Sequence, residues 1–293
     1  MGRFKALTLA SVLALGAAQA AHAADLLPPP PPIEAPPLRG AVVDEPGGFY
    51  LRGDLGVGFN DTSSQSSSFA PPTTLASLNA WYGGTQASES YLIGLGFGYK
   101  FNTWFRADLT GEYRGNALYK SKVYYTDPAS PACVGLPAGT CGDSYSGLVN
   151  IGLFMFNAYA DIGTWYGITP YVGAGVGVAA YSMGNITDQS MQVAVAGASV
   201  GSGISDSRVG ANLAWALMSG FSWDVAQNLK LDVGYRYVNM GQIDTGTIMC
   251  TAQCWFERQH FKLASNDVRV GLRWMAAAAP VIYDPGLPVR AKY

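Results

Sequence analysis

Charge is what this chain has least of. Only 13% of its 293 residues are Asp, Glu, Lys or Arg, about half the share of an ordinary globular protein. The 18 basic and 20 acidic side chains nearly cancel, so there is no basic patch for a nucleic-acid partner. Histidine is scarcer still: His22 and His260 are the two present. No GxSxG, HExxH or P-loop pattern occurs. His260, near Glu257 and Asp267, is the one candidate for acid–base work, and a loop histidine among charges reads as merely solvated. The sequence therefore predicts no enzyme and calls for no cofactor. Cys250, Cys254 and His260 lack a fourth ligand at recognisable spacing, so no metal site is expected. Long apolar runs are missing too. Residues 162–187 carry no charge, but Pro170, Gly173, Gly175 and Gly177 make a helix there costly. A membrane location, if any, is not helical. Disorder is excluded by the low net charge and the 12% aromatic content.

What the chain has instead is 36 glycines and 17 tyrosines, behind an N-terminal address. Arg3 and Lys5 precede an apolar stretch, and Ala21-His22-Ala23 forms an A-x-A cleavage site. Residues 1–23 thus read as a secretory signal peptide. Its removal leaves 16 basic residues against 20 acidic. Residues 24–47 are Pro-rich, with five consecutive prolines at 28–32. They predict an extended spacer, with a docking motif for a periplasmic partner or peptidoglycan as the alternative.

From Phe49 the pattern turns to period two, the mark of β-strands. Eight such segments follow, at residues 49–59, 91–101, 105–114, 150–162, 168–181, 212–224, 229–237 and 267–274. In the first, Phe49, Leu51, Leu55, Val57 and Phe59 share one face, and Tyr50, Arg52, Asp54, Gly56 and Gly58 the other. Short turns alternate with long connections at 60–90, 115–148, 182–209 and 239–264. Long loops confined to one end suit an outer-membrane barrel, with short periplasmic turns and longer extracellular loops. The expectation is an all-β, eight-stranded antiparallel up-and-down transmembrane barrel over residues 48–275, with a periplasmic tail at 276–293.

The location of charge decides which face meets lipid. Arg106, Asp108, Glu112 and Arg114 share one face of the third segment. On the lipid side each basic group would cost about 2–4 kcal/mol at mid-bilayer, so this face lines the interior. The same rule places Arg52, Asp54, Lys100, Asp161, Lys230, Asp232, Arg236, Asp267, Arg269 and Arg273 inside. Phe49, Phe101, Trp104, Phe105, Trp165, Trp223 and Trp274 fall at the short-turn rim, and Phe59, Tyr91, Tyr113, Tyr181 and Tyr237 near the other. Two such rows read as the aromatic girdles of the membrane interfaces, which makes outer-membrane lipid the first partner. Eight strands leave an interior scarcely wider than its own side chains. Paired charges would therefore plug it, with a narrow ion path as the alternative. Cys133, Cys141, Cys250 and Cys254 lie in long connections of an exported chain and read as disulfides, with three connectivities open.

Thr169-Pro-Tyr-Val-Gly-Ala-Gly-Val-Gly177, Asn228-Leu-Lys-Leu-Asp-Val-Gly-Tyr-Arg-Tyr237 and Asp267-Val-Arg-Val-Gly-Leu-Arg-Trp274, with the signal peptide, resemble the small outer-membrane β-barrel proteins of alpha-proteobacteria. That is the porin-family or outer membrane immunogenic protein group, related to the OmpA/OmpX-type membrane barrel. The resemblance covers residues 49–274. It implies location in the outer membrane of a Gram-negative cell and insertion by the barrel-insertion machinery. Members usually end on an aromatic of the last strand, whereas here Trp274 is followed by a tail reaching Tyr293. The function expected is a surface and structural barrel that supports the envelope and presents its loops outside. A narrow porin-like channel for small solutes or ions is the alternative.

Overall fold

The computed structural model describes residues 47–70, 80–125, 141–192, 199–250 and 256–276. The expected signal peptide (1–23), all but the last residue of the Pro-rich segment, Cys133, Cys254 and the expected tail beyond 276 lie outside these residues. The strands are β1 (Gly48–Ala70), β2 (Ala80–Ala87), β3 (Ser90–Lys100), β4 (Phe105–Tyr125), β5 (Cys141–Asp161) and β6 (Ile168–Met183). They continue with β7 (Thr187–Gln192), β8 (Ser199–Ser205), β9 (Arg208–Ala226), β10 (Leu229–Asp244), β11 (Ile248–Cys250) and β12 (Phe256–Met275).

Eight of them close a ring. β1 pairs with β3, β3 with β4, β4 with β5 and β5 with β6, all antiparallel. The path continues through β9, β10 and β12 and returns to β1, where Leu51 lies opposite Trp274. The ring leaves no free edge, which is what a sheet needs in a solvent that cannot hydrogen-bond to it. Its tight turns sit at one end. In the β3–β4 turn the Asn102 side chain accepts from the backbone N–H groups of Trp104 and Phe105. The β5–β6 turn uses Gly167 at φ +80°, a conformation that costs glycine least.

At the other end the long connections are largely strand. β1, β4, β5 and β12 run on well past the ten or so residues a tilted strand needs to span a bilayer. β2 joins the upper edge of β4, and β7, β8 and β11 fill the space from β5 round to β12. The ring is thus prolonged by a second wall, ordered β1–β12–β11–β8–β7–β5–β4–β2. The expected segments stop short of this wall because its residues carry no lipid-facing pattern.

The two levels have opposite polarity. In the lower ring Leu55, Leu95, Leu109, Phe154, Leu213 and Val270 point outward and are exposed, while charged residues point in. In the upper wall Tyr119, Val123, Tyr145, Met183, Ile186, Met240, Ile243, Phe261 and Leu263 point in and pack together. Bulges manage part of the change. The β4–β5 register shifts between Arg114 and Ala117, and the β10–β12 register between Asn239 and Gln242, where Gly241 sits at φ +78°. Each inserted residue flips the parity of the strand, so inward positions pass from 106–114 to 117–125 on β4.

Candidate functional site

The interior of the lower ring is the chemically dense part of the molecule. Alternation on β1, β4, β10 and β12 aims four rows of charged side chains at one axis. At the outer end of the ring, Glu112 accepts from Arg114 at 2.7 Å and from Arg236 at 2.6 Å. Asp267 pairs with the same two arginines from the opposite wall. Two carboxylates and two guanidiniums thus close a square across the lumen. Further in, Arg52 forks onto Asp54 at 2.7–2.8 Å and reaches Asp108 at 3.0 Å. Arg269 joins Asp54 at 3.0 Å. Arg273 meets Asp232 at 3.1 Å and Arg106 meets Asp161 at 3.1 Å near the short-turn end.

Of the charges assigned to the interior from sequence, Arg52, Asp54, Lys100, Arg106, Asp108, Glu112, Arg114, Asp161, Asp232, Arg236, Asp267, Arg269 and Arg273 are all buried. Lys230 stands apart: it sits at the rim and pairs with Asp224, which sequence reasoning did not single out. Neutral side chains complete the layer. Arg106 stacks on Tyr159 and Tyr171 at 4.1 and 4.7 Å. Asn157 donates to Asp108 and Thr110, and Ser222 donates to Asp232. The inner-face glycines make room for these rings. A Cβ at Gly98 would lie 2.6 Å from the Tyr50 hydroxyl, and one at Gly234 2.5 Å from that of Tyr171. The cavity among Arg52, Asp54, Tyr159, Asp232, Arg236 and Arg269 is about 10 Å³, room for roughly one water.

The rim aromatics lie on the outside except Tyr181, which was expected in the outer girdle but shares the inward face of β6 with Tyr171 and is buried in the apolar core of the upper wall. Phe49, Phe101, Trp104, Trp165, Trp223 and Trp274 are exposed on the outside of the short-turn end. Phe105 is half-covered by Phe101 and Trp104, with ring centroids 5.3 and 5.5 Å away.

The upper wall holds a second group of acids within its apolar core. Glu257 accepts from Ser67 at 2.6 Å, Tyr145 at 2.7 Å and Gln259 at 3.1 Å. Asp143 and Asp188 are buried on β5 and β7 nearby. Burial, reinforced by the charges of Asp143 and Glu257, pushes Asp188 up to about 8. Burial also raises Asp143 and Glu257, against hydrogen bonds that favour their ionised forms. The signal for this core was available on β4, where Tyr119, Val123 and Tyr125 alternate with Lys120, Lys122 and Tyr124.

His260 is separated from the partners proposed for it. It bonds Asp244 at 2.7 Å and Ser68 at 3.0 Å. Glu257 and Asp267 occupy the opposite, inward face of β12. Among the described residues no group of His, Cys, Asp and Glu is arranged to hold a metal ion. Cys141 is disulfide-bonded, and Cys250 ends β11.

Comparison with known proteins agrees with this geometry. A family model described as an outer membrane protein beta-barrel domain matches residues 7–256. An uncharacterized protein of Brucella abortus (strain 2308) is 29% identical over 230 residues, 75% of this chain and 76% of the relative. Outer membrane protein PagN of Salmonella typhimurium (strain LT2) is 26% identical over 240 residues, 78% of this chain and 89% of PagN. Among solved structures, OprG of Pseudomonas aeruginosa aligns with a TM-score of 0.45 and 16% identity, over 80% of this chain and 97% of OprG. Neisserial surface protein A aligns at 0.39 and 15%, over 79% and 100%.

Proposed function

We propose that this chain, which belongs to the outer membrane protein beta-barrel domain family, works as a closed surface barrel. It anchors a rigid extracellular wall and supports the envelope without conducting solutes. Its place is the outer membrane. The observation that carries this reading is the stacking of two unlike layers along one axis: the paired charges of the ring, then the apolar core of the wall. An ion would first meet the buried, paired side chains of the ring, then an apolar plug. The chain is proposed to be non-enzymatic, since among the described residues His260 bonds Asp244 and Ser68 and faces away from the buried acids. The Pro-rich residues 24–47 are proposed to reach a periplasmic partner or peptidoglycan, and the barrel-insertion machinery to deliver the chain.

The test is electrical. Mature protein refolded into a planar bilayer in potassium chloride should give a silent trace while protease protection shows that it has inserted. Reproducible current steps that change amplitude in Glu112→Gln would replace the closed barrel with a narrow channel.

A further inference from the structure

Among the described residues, the upper wall has a seam between β1 and β2 that no backbone ladder closes. Above Asn60, β1 pairs along one edge with β12, while its pairing with β3 ends at Gly58 opposite Ser90. β2 pairs along one edge with β4. The facing edges of β1 and β2 are held by side chains instead. Asn60 donates to the Ser88 carbonyl at 2.5 Å and Thr62 to the Thr85 carbonyl at 3.1 Å, and the Ser67 and Tyr82 hydroxyls meet at 2.6 Å. Between them lies a groove of about 380 Å³, within the range of small-ligand sites.

Its lining is hydroxyl, amide and carboxylate with one ammonium: Asn60, Asp61, Gln86, Glu89 and Lys120 stand around Leu118. Asp61, Glu89 and Lys120 are exposed and make no salt bridge with another described residue. Thr85 also lines the groove, and its hydroxyl has no hydrogen-bond partner. The position is equally informative. Asn60 follows Phe59 and Glu89 is two residues before Tyr91, both outward-facing girdle residues, 51% and 73% exposed. The groove therefore opens just above the outer interface, at the depth of the headgroups.

We propose that this groove binds the sugar headgroup of an outer-leaflet glycolipid. Vicinal hydroxyls are donors for Asp61 and Glu89 and acceptors for Gln86 and Lys120, and Leu118 offers the apolar contact a sugar ring's C–H face takes. Two carboxylates against one lysine repel a phosphate as the principal contact. An inserted peptide strand does not fit. It would need two ladder spacings, about 9.6 Å, between β1 and β2, whereas one Thr62 side chain spans the gap.

The experiment uses the full mature chain refolded in detergent micelles, titrated calorimetrically with rough-type lipopolysaccharide, with its acyl-free core oligosaccharide and with phosphatidylglycerol. Saturable one-to-one binding of the first two is expected. The Asp61→Asn/Glu89→Gln double variant should weaken it at least tenfold, and Gln86→Trp, which fills the groove, should do the same. The heat-modifiable gel shift reports that each variant is folded. Binding of lipopolysaccharide without the oligosaccharide would place recognition on the acyl chains and overturn the proposal. So would absence of sugar binding, or equal affinity in folded variants.

Discussion

Glu112 and Lys230 are both charged residues of the ring, yet they should differ in worth by several-fold. Glu112 is buried and accepts from two arginines that, among the described residues, share one other anionic partner, Asp267. Replacing it with glutamine leaves two guanidiniums on one carboxylate in a buried site. Breaking a buried pair in this way costs about 3–5 kcal/mol. Lys230 pairs with Asp224 at the rim, where both side chains retain solvent, and such a pair contributes about 0–1 kcal/mol. Urea unfolding in phospholipid vesicles should therefore move strongly for Glu112→Gln and scarcely for Lys230→Ala. Equal shifts would mean that the interior square contributes nothing to holding the walls together. The Glu112 square was half-legible in sequence. Alternation put its members on one face, but which acid meets which base depends on ring closure, and that brings residue 112 beside residue 236.

At the scale of elements, legibility follows solvent. Each ring strand separates lipid from a polar interior, so Leu55, Val57 and Phe59 alternate visibly with Asp54, Gly56 and Gly58. The continuation of β1 reads Asn60-Asp-Thr-Ser-Ser-Gln-Ser-Ser-Ser68. It has water on its outer face and polar partners within, so its strand character leaves no hydrophobic period. On β4 the period persists but changes phase at the bulge after Arg114, which ends an uninterrupted pattern. The same wall carries a pH dependence. Asp188 on β7 has its folded-state value pushed up to about 8 by burial and by Asp143 and Glu257, against about 4 for an unfolded aspartate. Between those values the folded chain holds a proton that the unfolded chain has released. Stability therefore falls as pH rises from about 4 to about 8, then levels. Hydrogen exchange of β7 and β8 amides, corrected for intrinsic rates, should speed up across that window, and Asp188→Asn should flatten the trend. A slope unaltered by the substitution would assign the dependence to other groups.

For the whole molecule, closure is a matter between Gly48 and Met275. β1 meets β12 from Tyr50 opposite Met275 to Ala70 opposite Phe256, and the last described bond of the seam runs from the Ala276 N–H to the Phe49 carbonyl. Every strand of the ring has two neighbours without drawing on residues 24–46 or 277–293. The resemblance noted from sequence places a terminal aromatic in the last strand, and this chain carries Trp274 there with a tail behind it. A chain of residues 47–276 should thus refold in detergent to the same heat-modifiable species as the mature protein, with matching far-ultraviolet circular dichroism and an unfolding midpoint unchanged within error. It ends two residues after Trp274, so export behind residues 1–23, the signal peptide expected from sequence, should also deliver it to the outer membrane. Failure to refold in vitro would mean that a flanking segment completes the barrel. Normal refolding with failed delivery in cells would instead assign the tail to targeting, and separate the information that shapes this barrel from the information that addresses it.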